Sequence, residues 1–144
     1  MKCTRGFTLL EMLVVIGIIS IVTVTVSTTY MTVRKTGDAN RAGVITATLL
    51  KEAVRKSEVM EYDSGWGVKI SGTNAILFSG TSYALRTVAR DVTYAIPAGL
   101  TVSGPSEIVF AKFSGQPGTT GTTTFANGFG TSSVYVWNGG IIGN

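Results

Sequence analysis

The sequence predicts an α+β protein, in which a long N-terminal helix, half membrane-spanning and half amphipathic, packs on a small antiparallel β-sheet or sandwich head. Three observations predict this fold class. Between Phe7 and Met31 the only charged residue is Glu11, although 14% of the whole chain is charged. Residues 32–62 then show an amphipathic pattern. Residues 63–144 contain short β-rich runs separated by glycines, prolines and Asn-Gly turns, which is typical of a small β-rich globular head.

Residues 1–6 form a short basic leader ahead of the apolar segment 7–31. As a helix, Phe7–Tyr30 would span about 36 Å, and a bilayer core needs roughly 20 apolar residues. A secretory signal carries its small-residue cleavage site after the apolar core, whereas here the small residue, Gly6, precedes it. A cut between Gly6 and Phe7 would therefore leave the whole apolar segment on the mature protein as an exported anchor.

Glu11 is the unusual residue of this segment. A carboxylate deep in a membrane helix costs about 2.5–3.5 kcal/mol on insertion scales, and no Lys or Arg lies three or four residues away. Cleavage after Gly6 would create a positive α-amino group on Phe7. Pairing of Glu11 with that amine in a neighbouring chain would compensate both charges and fix the axial stagger of adjacent helices. The alternative is that Glu11 only extends to the lipid headgroups.

The run Gly6–Glu11 (GFTLLE), preceded by the basic leader and followed by Met12–Ile16 (MLVVI), resembles the prepilin signature of type IV pilins and type II secretion pseudopilins. The resemblance implies that a prepilin peptidase cleaves between Gly6 and Phe7 and that Phe7 becomes N-methylated. It also implies that Glu11 acts in subunit registry and recruitment.

One feature departs from many major pilins, which carry a helix-loosening proline in the second half of this segment. Here the first proline is Pro97. The stretch Ile21–Val26 is instead β-branched throughout, which is unfavourable in a helix. It could loosen the helix locally, or lipid could enforce the helix regardless of propensity.

The resemblance further implies a structural subunit, a minor pilin or pseudopilin, and not an enzyme. Its expected partners are other pilins or pseudopilins in a helical filament, the prepilin peptidase, the inner-membrane assembly platform, and membrane lipid before assembly. No cofactor is implied. The chain would sit in the cytoplasmic (inner) membrane as a single-pass protein with its head outside the cytoplasm, and then join an extracytoplasmic filament.

The composition excludes several kinds of catalytic site. The one cysteine, Cys3, lies in the leader and the chain has no histidine, which removes the strongest nucleophile and the commonest general base. Glu58, Glu61 and Asp63 could bind a hard cation through oxygens. Their spacing matches no calcium-loop pattern, and Arg55 and Lys56 could neutralise their charge, so no metal site is predicted.

The segment 32–62 is predicted to continue the helix and to pack one side on the head. Leu49–Glu58, ahead of the strand-like Trp66–Ile70, resembles the GspH/FimT type of minor pseudopilin. The residues predicted to share the packed face are Ala42, Ile45, Leu49, Ala53 and Met60.

Eight β-rich runs are predicted in residues 63–144. Glu107–Phe113, a loop at Ser114–Gly121, and Thr122–Phe125 are interpreted as a hairpin, and Asn138-Gly139-Gly140 as the tight turn before the last strand. The predicted strands are Trp66–Ile70, Ala75–Ser79, Val92–Ile96, Leu100–Ser103, Glu107–Phe113, Thr122–Phe125, Ser133–Trp137 and Ile141–Ile142.

Nucleic acid is not expected as a partner, because the net charge is only +4 and the leader carries part of it. Some FimT-type relatives bind DNA through a basic tail, whereas Phe113–Asn144 contains no charged residue. An alternative function is that of a DNA-uptake (competence) minor pilin whose head contacts DNA. Arg86 and Arg90 could form a small basic patch, although such residues more often hold a loop to the head. The tail aromatics, Phe113, Phe125, Phe129, Tyr135 and Trp137, are interpreted as core residues, or Phe125 and Phe129 as an apolar contact on a loop.

Overall fold

The computed structural model describes residues 7–138 and 142–143, and the side chains of these residues except 25–29 and 142–143. The chain divides into two compact units, which we call the N-terminal unit (Met1–Arg34) and the C-terminal unit (Lys35–Asn144). A single helix, α1 (Leu9–Glu58), contains the boundary. The strands that follow are β1 (Trp66–Ser71), β2 (Asn74–Ser79), β3 (Val92–Ala95), β4 (Thr101–Ser103), β5 (Glu107–Phe110), β6 (Gly121–Asn127), β7 (Gly130–Val136) and β8 (Ile142–Gly143).

The strands form two four-stranded antiparallel sheets. Sheet 1 has the order β3-β2-β1-β5, and sheet 2 has the order β4-β6-β7-β8. The predicted α+β fold class is therefore confirmed, and each predicted β-rich run overlaps one of these strands. Ile141 of the last run, and Gly139 and Gly140 of the turn predicted before it, lie outside the described residues.

The core lies within the C-terminal unit and joins the helix to both sheets. Burying one large apolar side chain contributes about 1.5–3 kcal/mol, so this shared cluster is the main stabilising element of the unit. Its members include Ala42, Leu49, Leu50 and Ala53 from α1, Trp66, Val68, Leu77 and Phe110 from sheet 1, and Phe125, Val134 and Val136 from sheet 2.

The face predicted for the amphipathic helix is partly correct. Ala42, Leu49 and Ala53 are buried, and Ile45 is half-buried against the core. Met60 is 42% exposed, so its place on the packed face was wrong. The helix ends at Glu58, and Met60 lies in the left-handed region at φ 53, where an α-helix cannot continue.

A second correction concerns β5 and β6, which were predicted to form a hairpin. β5 pairs with β1 (Gly67↔Val109), whereas β6 pairs with β4 and β7 in the other sheet. β5 also ends at Phe110 and not at Phe113, because the chain reverses there: Ala111 donates to Gln116 O, and Phe113 has a φ of 74. A strand does not continue through a left-handed residue.

The segment between β2 and β3 covers the outer face of sheet 1. The ring of Tyr83 packs edge-on against Phe78, with ring centroids 5.5 Å apart, and the backbone N–H of Tyr83 donates to Glu107 Oε1 at 2.8 Å. Arg86 closes the segment by an ion pair of 2.7 Å with Asp91. This face of the sheet is therefore lined with charged and aromatic contacts.

One glycine is required where β4 leads towards β5. Gly104 has a φ of 97, and a Cβ on it would overlap the carbonyl group of Thr122. Only glycine combines that backbone conformation with so close an approach. The turn brings Pro105 next to β6, where its carbonyl oxygen accepts a hydrogen bond of 3.0 Å from Thr123 Oγ1.

Candidate functional site

The start of α1 is fixed by a capping interaction in the segment that carries the predicted processing and assembly residues. The backbone N–H of Glu11 donates to Thr8 Oγ1 at 3.2 Å, and the N–H of Met12 donates to Thr8 O at 3.2 Å. Thr8 is therefore the N-cap and Glu11 the third helical residue, the Thr-x-x-Glu spacing of a capping box. The sequence reasoning missed this role of Thr8, although that spacing would have indicated it.

The position of Glu11 also suits its charge. A carboxylate in the first turn of a helix interacts favourably with the partial positive charge of the unsatisfied N–H groups. Glu11 is exposed, and among the described residues no cation forms a salt bridge with it.

The N-terminal unit exposes apolar side chains on every side of its helix. Consecutive residues of a helix point about 100° apart, yet Val14, Val15 and Ile16 are 53%, 44% and 61% exposed. The same holds along the segment, from Leu9 at 83% to Val24 at 68%. An exposed apolar surface of this kind indicates a region that is buried by a partner or by lipid.

Hydroxyl groups within this segment are satisfied by the helix itself. Ser20 Oγ donates to Ile16 O at 2.8 Å, and Thr23 Oγ1 donates to Ile19 O at 2.7 Å. These back-bonds reduce the polarity that the two side chains present to an apolar environment. The backbone remains helical through Ile21–Val26, so in this structure the β-branched stretch does not interrupt α1.

The cleavage site is described only on one side. Phe7 precedes the helix and is 77% exposed, whereas Gly6 lies outside the described residues. Cleavage after Gly6, methylation of Phe7 and a registry role for Glu11 stay predictions.

The spanning helix predicted for residues 7–31 is not confirmed: in the part of the chain that the structure describes, no helix combines the length and the apolarity needed to cross a membrane.

Carboxylates at the end of α1 are paired with lysines. Lys56 Nζ lies 2.6 Å from Glu61 Oε1 and 3.9 Å from Glu52 Oε1, and Lys112 forms an ion pair with Asp63. Within residues 7–138 and 142–143 there is no group of three or more His, Cys, Asp or Glu residues placed to hold a metal ion.

Each basic residue of the head contacts an acidic or aromatic side chain. Lys69 pairs with Glu107 at 3.5 Å and Arg86 with Asp91, while Arg90 lies 4.0 Å from the ring centroid of Tyr62. Arg86 also donates to Tyr83 O at 2.7 Å, and the hydrogen bond to Asp91 raises the pKa of its guanidinium. These contacts of Arg86 join residues within the segment between β2 and β3; its interpretation as a residue that holds a loop to the head stays a prediction.

A cleft of about 390 Å³ lies at one end of sheet 1. Its polar lining includes Ser64 and the Asp63–Lys112 ion pair. Ser64 Oγ donates to the carbonyl of Gly65 at 3.0 Å, and no histidine exists in the chain to activate it. This arrangement offers no activated nucleophile.

The tail aromatics were predicted to be core residues, and for four of the five this prediction is wrong. Phe125 is fully buried in β6, as predicted, but Phe113 is 74% exposed and Phe129 is 47% exposed. Tyr135 and Trp137 are 54% and 59% exposed. Side chains alternate between the two faces of β7, and Val134 and Val136 take the buried positions. Tyr135, which lies between them, is therefore exposed, and so is Trp137, which follows Val136.

The family model of the prokaryotic N-terminal methylation motif matches residues 1–27 of this chain. No curated protein matches the chain, and no solved structure matches it. The motif includes Gly6, Phe7, Thr8 and Glu11, and it is the signature of structural pilin-like subunits. The N-terminal segment of this chain therefore carries the type IV pilin and pseudopilin methylation motif.

Proposed function

We propose that this chain is a minor pilin or pseudopilin, a structural subunit of a type IV pilus-like or type II secretion filament. The observation that carries the proposal is the exposed apolar surface on every side of α1 between Leu9 and Val24, within a methylation motif. An isolated soluble helix cannot keep such a surface in water. Packing against the same segment of neighbouring subunits would bury it.

The proposed sequence of events begins in the cytoplasmic membrane. Lipid covers residues 7–31 of the precursor, with the head outside the cytoplasm. A prepilin peptidase then cleaves between Gly6 and Phe7, and the new amine of Phe7 is methylated. With an assembly platform in the inner membrane, the subunit exchanges lipid for the apolar helices of other pilins or pseudopilins.

Glu11 would set the register in this assembly. The carboxylate lies in the first turn of α1, one helical turn from the amine that cleavage would create on Phe7. In a staggered neighbour, the Phe7 amine can approach Glu11 and compensate its charge in an apolar surrounding, where an ion pair is stronger than in water. In this proposal the chain contributes geometry to the filament and no catalysis.

The narrower resemblance to the GspH/FimT type belongs to the same proposal. The support for it is the order of the elements, since α1 ends at Glu58 and leads through a short turn into β1 at Trp66.

The experiment is mass spectrometry of the intact protein and its N-terminal peptide, from cells with and without a co-expressed prepilin peptidase. We expect a mature chain that begins at N-methylated Phe7 only when the peptidase is present. Gly6→Val should block this cleavage, because the branched side chain replaces the small residue at the cut. Gly17→Val is the matched control, since nothing lies within 4 Å of a Cβ there. An unprocessed Met1 start in the presence of the peptidase, or a cut downstream of Tyr30, would contradict the proposal.

The alternative of a DNA-uptake minor pilin receives less support. DNA binding requires cations that neutralise phosphates, and Lys69, Arg86 and Lys112 are each engaged by a carboxylate. An electrophoretic mobility assay at low salt with duplex DNA separates the alternatives. Binding that weakens in Lys69→Gln and Arg90→Gln would favour the DNA-uptake function.

A further inference from the structure

The outer face of sheet 2 differs in chemistry from the rest of the head. Strands β4, β6 and β7 contain no charged residue, whereas the outer face of sheet 1 is covered by the segment that carries Tyr83, Arg86 and Asp91. The described outward side chains of sheet 2 are instead hydroxyls and aromatics, with one alanine among them. They are Thr101, Ser103, Thr122, Thr124, Ala126, Thr131, Ser133 and Tyr135, and Trp137 continues the alternation after β7.

The strand register arranges these hydroxyls in rows. Ser103 lies opposite Thr124, which lies opposite Ser133, so one row crosses three strands. A second row is formed in the same way by Thr101, Ala126 and Thr131. Neighbouring strands are about 4.8 Å apart, and alternate residues of a strand are about 6.6 Å apart, so the rows form a regular grid. Thr124 Oγ1 and Ser133 Oγ are hydrogen-bonded at 3.1 Å.

Two exposed aromatic rings lie at one end of the grid. Tyr135 lies opposite Thr122 of β6 on one side and opposite Gly143 of β8 on the other. Trp137 follows two residues later in the chain. They are 54% and 59% exposed. Rings of this size are usually buried, and Tyr and Trp are enriched where one side meets an apolar surface and the polar end meets water.

The side chains of this face determine which class of ligand could bind there. The described side chains of the face include no aliphatic group larger than that of Ala126, so the anchors of a typical apolar protein interface are absent from them. They include no cation for a phosphate or an anionic lipid, and no carboxylate for a basic partner. An uncharged ligand with its own dense hydroxyls and an apolar C–H face is complementary to rows of Ser and Thr beside two aromatic rings.

We propose that the outer face of sheet 2 is a binding surface for neutral polysaccharide, in which Tyr135 and Trp137 stack on sugar rings and the Ser and Thr rows exchange hydrogen bonds with sugar hydroxyls. The surface lies within the head. It requires neither cleavage at Gly6 nor filament assembly, so its failure and that of the proposed function are distinguishable.

The test is co-sedimentation of the full chain with microcrystalline cellulose and with chitin. The protein is kept in a polyoxyethylene detergent, because a detergent with a sugar headgroup would compete. We expect binding to at least one of the two polymers that is displaced by its soluble oligosaccharide and is insensitive to salt. Tyr135→Ala combined with Trp137→Ala should weaken the affinity at least about ten-fold. Phe113→Ala, at a 74% exposed aromatic outside sheet 2, should leave it unchanged.

A second variant keeps the test valid if the double variant does not fold. Thr131→Glu places a charge at an exposed position of the second row, and we expect the same loss of binding with an unchanged circular dichroism spectrum. Absence of wild-type binding to both polymers would overturn the proposal. Binding that survives both variants, or that Phe113→Ala weakens equally, would overturn it as well. Retention by lipid vesicles alone would assign the face to a membrane instead.

Discussion

At the scale of single residues, the backbone and the side chain of Glu11 can serve two separate roles. Its backbone N–H completes the cap on Thr8 at 3.2 Å, and its carboxylate is exposed in the first turn of α1. The cap uses only the backbone of Glu11, so the side chain stays available for another subunit. A substitution of the side chain therefore tests assembly separately from helix formation.

We expect Glu11→Gln to be processed at Gly6 but to enter filaments poorly. The amide keeps the size of the side chain and removes the charge that would compensate the Phe7 amine of a neighbour, so we expect at least about a ten-fold loss in the sheared filament fraction. Glu58→Gln, at an exposed carboxylate near the end of α1, is the charge-matched control. The registry role would be refuted by normal incorporation of Glu11→Gln, measured by quantitative immunoblotting of sheared filaments.

A second residue-scale prediction concerns Thr46, whose hydroxyl is buried without a hydrogen-bond partner in the described part of the chain. Val has the same shape and no polar atom, so Thr46→Val should raise the free energy of unfolding by about 1 kcal/mol. The control is Thr48, which is exposed and whose hydroxyl donates to Val44 O at 2.8 Å. Thr48→Val should change the free energy of unfolding by less than about 0.5 kcal/mol. Urea unfolding followed by tryptophan fluorescence measures both. A destabilised Thr46→Val would show that this hydroxyl has an energetically important partner.

The sequence could point to a motif where its residues are contiguous, and the family model matches residues 1–27. The Gly6–Glu11 run is contiguous, so a resemblance could name its residues directly. The tail aromatics were misjudged because exposure depends on register: Phe125 lies on the inner face of β6 and Tyr135 on the outer face of β7. A shift of one residue exchanges the two faces of a strand, and the aromatic character of a residue does not reveal which face it takes.

At the scale of elements, Ser57 joins the end of α1 to sheet 1. Its buried hydroxyl donates to Phe110 O at 3.3 Å and accepts from the N–H of Trp66 at 2.9 Å. Its carbonyl oxygen accepts from Phe113 N–H at 2.9 Å. One residue thus connects the helix with the start of β1 and the end of β5.

Ser57→Ala should therefore lower the free energy of unfolding by about 1–3 kcal/mol, because it leaves a buried N–H and a buried C=O without their partner. Ser71→Ala, at an exposed serine that ends β1, should be close to neutral. Thermal unfolding by circular dichroism gives both values. Equal midpoints for the two variants would show that water replaces the lost hydrogen bonds.

The β6–β7 turn makes a comparable connection with the helix. Asn127 Nδ2 donates to Lys35 O at 2.7 Å, while its Oδ1 accepts from the N–H groups of Phe129 and Gly130 at 3.0 and 2.9 Å. Thr36 Oγ1 adds a hydrogen bond of 3.0 Å to Phe129 O. One side of the amide forms the turn, and the other side holds the turn to α1.

Asn127→Asp separates these two functions. The carboxylate retains both acceptor interactions of the turn but loses the donor, so amide hydrogen exchange at Lys35–Ala39 should accelerate about 2–10-fold while the turn amides change little. Asn74→Asp, at the exposed first residue of β2, adds the same charge elsewhere. Unchanged exchange at Lys35–Ala39 would show that the other contacts of the turn are sufficient.

The pairing of elements was only partly predictable. Each strand could be located from β-rich runs and turn residues, because those signals lie within a few positions of the chain. The partner of β5 could not be predicted in this way. Its partner, β1, lies about 40 residues earlier in the chain, whereas β6 is the next strand and is the expected partner for a hairpin. Adjacent strands pair often but not always, and here the core contacts of Ile108 and Phe110 place β5 in sheet 1.

At the scale of the whole molecule, the two units differ in what stabilises them. The buried apolar cluster extends from Ala42 to Val136 and lies entirely in the C-terminal unit. The described side chains of the N-terminal unit, by contrast, are exposed. From the scarcity of charge in residues 7–31, the sequence predicted a separate apolar segment that ends at residue 31. The boundary between Arg34 and Lys35 depends on contacts of the folded chain, so the sequence could not give it.

This division predicts that a fragment of residues 35–144 folds without the N-terminal unit, because it keeps every residue of the core. We expect soluble protein with cooperative unfolding and a free energy of about 5–15 kcal/mol, as for other domains of this size. A fragment of residues 54–144 is the matched contrast, since it removes Ala42, Leu49, Leu50 and Ala53 and should not fold cooperatively. Near-ultraviolet circular dichroism and urea titration distinguish the two. If the longer fragment binds hydrophobic dyes and unfolds without cooperativity, the apolar segment contributes to the stability of the head, and the two units cannot be treated as independent.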